Sequence, residues 1–521
     1  MPTRSNLVNL DAMIKRADFA AHHENSFFEN TTHISIRDFT SGGLIGPSLR
    51  KPDFQRETNH WSPDQVTSLL QCFVNGDLIP SVILWKSPSY LFVIDGGHRL
   101  SVLRAWVEDD YGDGPLSRQL FGPEISKAQL KAAKQTRDAI NGTIGTWHHF
   151  QSRLGTDDLS PAERKAVTTV ASRALPIQWV QGDADTAEAS FFKINTRGTP
   201  LDDVEELLLK NRRKPISIAS RAVIRAGHGH RYWSAFDADV AAEIEQAAGT
   251  LHKTLFEPEL SRPVKTLDLP LGGSKGVRTA LAVLIEFCLI ANRNQVSEPT
   301  RLSDQGDDPT GHETVECLAK ASKLARRITG NDRGSLGLHP AVYFYGPTGR
   351  HSGPMFMGTV MLFGKHLTNN NKAFFSKFTE VRSRLESLLV DYKDLIAILI
   401  QKHQGKYRNQ RYCDLLEAVI NRLGSDETIG ESELVTMAGL SGRVVAGIVE
   451  QRGSDFSDDT RSKVFIDKAL GTALTCPICN GYLDMEKSVS YDHIERKRDG
   501  GNGTSENCEL THPYCNQSVK D

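Results

Sequence analysis

CPICNGYLDMEKSVSYDHIERKRDGGNGTSENCELTHPYCN, residues 476–516, holds four of the eight cysteines of this 521-residue chain. Cys476 and Cys479 form a CxxC knuckle, and His512 with Cys515 forms an HxxC pair downstream. Two such pairs supply the four nitrogen and sulfur donors that tetrahedral Zn²⁺ prefers. A segment this short buries little apolar surface, so a metal clamp supplies stability that a core does not. Between the pairs, Tyr491-Asp492-His493-Ile494 reads as a short strand presenting a carboxylate and an imidazole side by side. It is followed by the turn-forming DGGNG and then by Asn507 and Asn516. Pro513 suits a first helical position, which sets His512, Cys515 and Asn516 within one turn at i, i+3 and i+4. Two readings stand at this point: a bare structural zinc knuckle, or a zinc-braced site in which the residues between the pairs do chemistry.

That order of D-H, then GG, then N, then a helix carrying C-N resembles the HNH endonuclease family. The resemblance implies a ββα-metal fold acting on DNA. Phosphodiester hydrolysis needs a base to deprotonate water in line with the scissile bond, and a neutral His493 imidazole suits it. A hard cation, Mg²⁺ or Mn²⁺, must neutralise the phosphate and the departing oxygen, and Asp492 and Asn516 offer oxygen ligands. By the resemblance, Asn507 holds the His493 loop. The family usually carries CxxC where this chain has HxxC, which zinc accepts; alternatively His512 joins the catalytic metal and Cys508 takes its place on zinc. Arg496, Lys497 and Arg498 are either a solvated turn or phosphate contacts that position DNA without reading sequence.

Upstream, EQRGSDFSDDTRSK is polar and charged and reads as a joint, with Ser457 capping a short helix into KVFIDKAL and a domain boundary near residue 455. From Ile216 to Gly424, GVRTALAVLIEFCLIANR, ETVECLAKASKLARRITG and FFSKFTEVRSRLESLLVDYKDLIAILIQKH carry helix-spaced apolar positions, predicting a bundle. GPTGRHSG, after the strand-like AVYFY, is an ordinary loop or a nucleic-acid contact through Tyr345, Arg350 and His351. Cys72, Cys288, Cys317 and Cys413 stand singly among apolar residues, as buried thiols do.

Hydrophobic content of 39%, charged content of 24% and a net charge of -2 are those of a globular chain. No apolar run is long enough to span a bilayer, and MPTRSNLVNLDAMIKRADF lacks a secretory apolar core, so the expected location is cytoplasmic, with no membrane partner. Near-neutral charge means that DNA must be held by a local basic surface.

In the N-terminal part, SPDQVTSLLQCFVNG predicts a helix with Ser62 as N-cap, Pro63 first and Gly76 after its end. PSVILW, YLFVID and LPIQWVQG read as strands, with the segment from Tyr111 to Asp158 between them read only as polar and a helix expected around AEASFFKIN. VIDGGHRL sets Asp95, Gly96, Gly97, His98 and Arg99 at a strand-to-helix junction. There, two glycines let backbone amides approach a ligand, and a helix N-terminus with Arg99 favours phosphate. A tight structural turn is the alternative. No GxxxxGK[ST] loop is present, which argues against a P-loop ATPase.

KPDFQRETNHW, DLIPSVILWK, VIDGGHRL and FFKINTRGTPL, in that order, resemble the ParB/sulfiredoxin-like domain of GmrSD-type and SspE-type restriction proteins. The resemblance implies an α/β domain that binds and hydrolyses a nucleoside triphosphate, carried here by Gln55, Arg56, Asp95, Gly96, Gly97, His98, Arg99, Asn195 and Arg197. Gly97-His98 departs from the family's two glutamines, so hydrolysis is less expected than binding. The whole reads as an α+β multidomain chain: residues 1–215 nucleotide-binding, 216–455 mainly helical and 456–521 an HNH nuclease. The expected function is a restriction endonuclease cutting foreign, often modified, double-stranded DNA, as a homodimer if both strands are cut. The competing expectation is a ParB-like, nucleotide-gated DNA-binding regulator with a purely structural knuckle.

Overall fold

A computed structural model of the chain describes residues 7–519 other than 18, 20–28, 41–42, 44, 53–54, 56–57, 60, 183–185, 188–189, 192–193, 195–202, 229–232, 234–235, 275–276, 294–300 and 443–455. The joint expected near residue 455 and most of the helix expected around AEASFFKIN therefore lie outside the described residues. Two compact units form: Met1–Arg212 with His228–Ala235, and Arg213–Gly227 with Phe236–Asp521.

The first unit is built on a mixed six-stranded sheet in the order β1-β3-β5-β4-β6-β2. Its strands are β1 (Arg16–Ala17), β2 (His33–Ser35), β3 (Leu49–Pro52), β4 (Val82–Lys86), β5 (Leu91–Asp95) and β6 (Ala174–Trp179). β5 lies centrally, parallel to β3 and antiparallel to β4. Its side chains alternate between two apolar clusters: Leu91 and Val93 enter one with Val66 and Leu100, Phe92 and Ile94 the other with Trp85 and Phe191. A strand buried on both faces has to be apolar at every position, and LFVI is. Helix α1 runs Pro63–Asn75. Ser62 accepts from Gln65 N–H in a capping box, and Gly76 closes the helix at φ 86, a left-handed value that glycine adopts without strain.

The segment from Tyr111 to Asp158, read as polar, instead holds helices Pro115–Phe121, Lys127–Thr143 and Trp147–Arg153. Lys127–Thr143 buries only Ala132, Ala133, Thr136 and Ile140. A stripe of alanine and threonine gives little apolar periodicity, although Ser126 and Thr146 cap these helices as serine and threonine do.

The second unit is helical, including Val277–Ala291, His312–Ile328, Gly353–Thr368, Lys372–Asp391, Lys393–Lys402 and Arg408–Leu423. AVYFY is not a strand: Pro340–Tyr343 make one helical turn, with the His339 side chain accepting from Ala341 N–H and Pro340 at its start. Burial and capping override the strand preference of valine and tyrosine there. The same unit ends in the hairpin β7 (Ser490–His493) and β8 (Cys508–Thr511), then a wide helical turn over Cys515–Val519. The hairpin is tied to the helical body. Ser488 Oγ donates to Gly330 O at 2.7 Å, Val489 N to Asn331 Oδ1 at 2.9 Å and Tyr514 N to Ser335 O at 2.9 Å. Among the described residues, no helix is long and apolar enough to cross a membrane.

Candidate active site

Cys476, Cys479, His512 and Cys515 are all buried, and their ligand atoms lie within 4.8 Å of one another. Cys479 Sγ is 3.4 Å and Cys515 Sγ 3.9 Å from His512 Nδ1. Metal bonds of about 2.0 to 2.3 Å put tetrahedral ligands about 3.5 to 3.8 Å apart, close to the two distances to His512 Nδ1, and the donor set suits Zn²⁺ in chemistry. His512 Nε2 donates to the Tyr482 carbonyl at 2.9 Å, which fixes the tautomer that turns Nδ1 toward the sulfurs. Packed this closely, the thiols do not ionise independently. Hydrogen bonds with Cys479 and Cys515 push the Cys476 thiol far below its ordinary range, and the bond with Cys476 pushes Cys479 up to about 11. A divalent cation is what allows several such sulfurs to be thiolates at once. Cys508 is exposed and lies across the hairpin from His493. The alternative that placed it on zinc and sent His512 to the catalytic metal fails on that ground.

The hairpin carries the other candidates. Asp492 pairs with Glu509 and His493 with Cys508 in the antiparallel register, and both Asp492 and His493 are half-buried. Asp492 Oδ1 accepts from the His493 backbone N–H at 2.7 Å. Asn516 Nδ2 donates to Ser490 Oγ at 2.8 Å and to the Tyr491 carbonyl at 3.2 Å, so the side chain is clamped to the strand with Oδ1 as its remaining ligand atom. Asn507 closes the loop after His493: Oδ1 accepts from Glu495 N–H at 2.6 Å, and Nδ2 donates to the Glu495 and Asn502 carbonyls at 3.1 and 2.8 Å. The DGGNG turn is dictated by space. Gly500 sits at φ 104, and a Cβ on Gly501 would stand 1.9 Å from Glu495 O. Lys497 and Arg498 are exposed on the turn Lys497–Asp499, and Arg496 is half-buried before it.

In the first unit, Gln55 and the whole Asp95–Arg99 turn line one cavity of about 370 Å³ with Thr58 and Trp61. Asp95 ends β5, and helix α2 runs Gly97–Glu108 after Gly96 at φ 93. A Cβ on Gly96 would stand 2.6 Å from Val82 Cγ1, so this glycine serves close packing as well as the turn. Arg99 Nη2 lies 2.6 Å from Asp95 Oδ2, which holds the guanidinium at the turn. Gln55 Nε2 donates to the Val93 carbonyl at 3.2 Å, and Oε1 has no hydrogen-bond partner among the described residues. The His98 ring stacks on Trp61 with centroids 5.4 Å apart. Arg56, Asn195 and Arg197 lie outside the described residues.

Residues 473–521 match the family model described as HNH endonuclease, and residues 36–213 that of the GmrSD restriction endonuclease, N-terminal domain. The chain joins a GmrSD-type N-terminal domain to an HNH endonuclease domain. It is a DNA-cleaving hydrolase of the restriction type. No curated protein and no solved structure matches it.

Residues near the GmrSD-type cavity that the sequence did not single out include a buried charged cluster. Asp11 Oδ1 is 2.7 Å from Arg16 Nη2 and 2.8 Å from Lys51 Nζ, and it accepts from Thr58 N–H at 3.1 Å. Arg16 also donates to the Gln55 carbonyl, so the cluster fixes both ends of the Gln55–Thr58 segment. Lys51 and Thr58 fall within the KPDFQRETNHW stretch, whereas Asp11 and Arg16 belong to none of the quoted motifs. Near the HNH domain, GPTGRHSG turns the Tyr345 and His351 side chains inward and leaves Arg350 exposed. Tyr345 and His351 point inward to the Pro270 and Leu271 carbonyls at 2.7 Å each, and Arg350 pairs with Asp459 at 3.0 Å.

Proposed function

We propose that the chain is a cytoplasmic defence endonuclease that cuts foreign double-stranded DNA, including modified DNA, under the control of a nucleoside triphosphate. The observation that supports the cutting role is the hairpin strand carrying Asp492 and His493, to which Asn516 is hydrogen-bonded, beside a Cys₃His donor set. Residues 456–521 act as the nuclease, 216–455 as its helical support and 1–215 as a ParB/sulfiredoxin-like sensor. His493 takes the proton from a water attacking in line with the departing 3′ oxygen, and Asn507 holds the loop that follows it in place. Asp492 and Asn516 would hold Mg²⁺ or Mn²⁺, a choice supported by their all-oxygen donors. Such a cation supplies charge neutralisation at the phosphate. The Cys₃His set holds structural zinc. Arg496, Lys497 and Arg498 meet the phosphate backbone.

The nucleotide reading is supported by the Asp95–Arg99 turn, which joins a helix N-terminus to a fixed guanidinium, and by the buried side-chain oxygen Oε1 of Gln55, which has no hydrogen-bond partner among the described residues. The Trp61–His98 stack supplies a flat aromatic wall suited to a base. Arg56, Asn195 and Arg197 complete the site by the family resemblance. Cutting both strands with one HNH site per chain favours a homodimer.

The test is nicking of supercoiled plasmid and of modified and unmodified phage DNA, with Mg²⁺ or Mn²⁺, with and without ATP, GTP or CTP. His493→Ala should lower cleavage by about 10²-fold to 10⁴-fold with its zinc retained. Wild-type nicking by that variant would sink the base assignment. No cleavage by the wild-type protein under any of these conditions would leave a nucleotide-gated DNA-binding regulator.

A further inference from the structure

Arg382 and Glu386 stand one turn apart on the helix Lys372–Asp391 and are each 1% exposed. A buried ion pair gains little net stability, because desolvating both charges offsets their attraction. Its use is better read from its other hydrogen bonds. Arg382 Nε donates to Glu386 Oε1 at 2.7 Å, and its terminal nitrogens donate to the Leu336 and Gly337 carbonyls at 2.6 and 2.8 Å. Glu386 Oε1 also accepts from the Tyr343 hydroxyl at 2.9 Å, and Oε2 from Tyr482 N–H at 2.6 Å. Tyr482 in turn accepts, through its carbonyl, from His512 Nε2 at 2.9 Å, on the far side of the ring from the sulfurs.

Packing leaves this line no slack. A Cβ on Gly481 would stand 2.5 Å from Arg382 Nε, and one on Gly337 would stand 2.9 Å from His512 Cδ2. Charge points the same way, since three thiolates around Zn²⁺ leave one net negative charge in a buried site, and the Arg382 guanidinium lies against the knuckle.

We propose that Arg382 and Glu386 are positioning residues of the metal centre. Through the Tyr482 backbone they hold His512 in the orientation and tautomer that present Nδ1 to the metal, so metal affinity is set by the helical body as well as by the knuckle. The proposal rests on the zinc reading given above.

Full-length Glu386→Gln keeps the shape of the side chain but places an amide N–H₂ against an N–H donor. The expected result is zinc held about 10-fold to 100-fold more weakly against a competing chelator, the range for outer-shell partners of metal-bound histidine. The Co²⁺-substituted variant should also show displaced thiolate-to-metal and d–d bands, with helix content unchanged. A merely structural ion pair would lower thermal stability while leaving the chelator competition and the Co²⁺ spectrum as in wild type, and that result overturns the proposal. If Glu386→Gln does not fold, Tyr343→Phe decides instead. It removes one hydrogen bond to Glu386 and no charge, so a severalfold loss of zinc affinity supports the proposal and an unchanged value overturns it. Wild-type protein that neither contains nor binds zinc overturns the zinc reading and this proposal with it, whereas zinc-loaded wild type with unaltered variants overturns the proposal alone.

Discussion

Replacing Asn507 with alanine should slow DNA cleavage without touching any group that meets the substrate. Asn507 makes three side-chain hydrogen bonds, one from Glu495 N–H and two to the Glu495 and Asn502 carbonyls. Each is worth about 0.5 to 1.5 kcal/mol net, and half-exposure favours the lower part of that range. Their joint loss is therefore about 1.5 to 3 kcal/mol of loop ordering. If cleavage requires the ordered loop, and about 1.4 kcal/mol is tenfold in rate, the expected slowing is about 10-fold to 150-fold. That lies below or at the low end of the loss expected for His493→Ala. Asn507→Asp should be worse than alanine at neutral pH, because a carboxylate oxygen would face two carbonyl oxygens where an amide now donates. Plasmid nicking under single-turnover conditions measures the rate, and hydrogen exchange at the Glu495 amide measures the loop. Lost protection at Glu495 with wild-type nicking would refute the reasoning, since the loop would then be ordered for no catalytic purpose.

Cys476→Ser should release zinc and raise hydrogen exchange in the helical-body segment around Gly330–Ser335 as well as in the hairpin, because the two share hydrogen bonds at Ser488, Val489 and Tyr514; metal analysis and exchange mapping on the same sample check it. Burial pushes the His351 pKa down to about 4, below its unfolded value near 6.5. The unfolded chain then takes up the proton first, and stability is lost as pH falls from about 6.5 toward 4, by about 2 kcal/mol at pH 5. Denaturant titrations at pH 7 and 5 should show that slope, flattened in His351→Gln. Arg99→Ala should weaken nucleoside triphosphate binding by about 1.5 to 3 kcal/mol, because it removes a charge-assisted donor and leaves the Asp95 carboxylate facing phosphate; calorimetric titration with ATP, GTP and CTP reads it.

What was legible in the sequence divides by how far apart in the chain the partners lie. The CxxC and HxxC pairs and the D-H strand announce themselves by local spacing, because a short hairpin and one helical turn bring such residues together in any chain that folds this way. The Ser62 cap and the Asp95–Arg99 turn are equally local, with an i, i+4 ion pair holding the latter. Local spacing misled at AVYFY, whose residue types suit a strand but whose burial and Pro340 start make a helical turn. It was silent over Tyr111–Asp158, whose longest helix packs through Ala132, Ala133, Thr136 and Ile140. Glu386 and Tyr482 are 96 residues apart, and TEVRSRLES reads as one more amphipathic helix until tertiary packing buries both its Arg382 and its Glu386. A metal's ligands must cluster in a short segment if that segment is to fold around it, whereas the groups that orient those ligands only have to be close in space. The second kind of residue is where a sequence motif stops and the supporting body begins, and here that border falls between His512 and the Arg382–Glu386 pair.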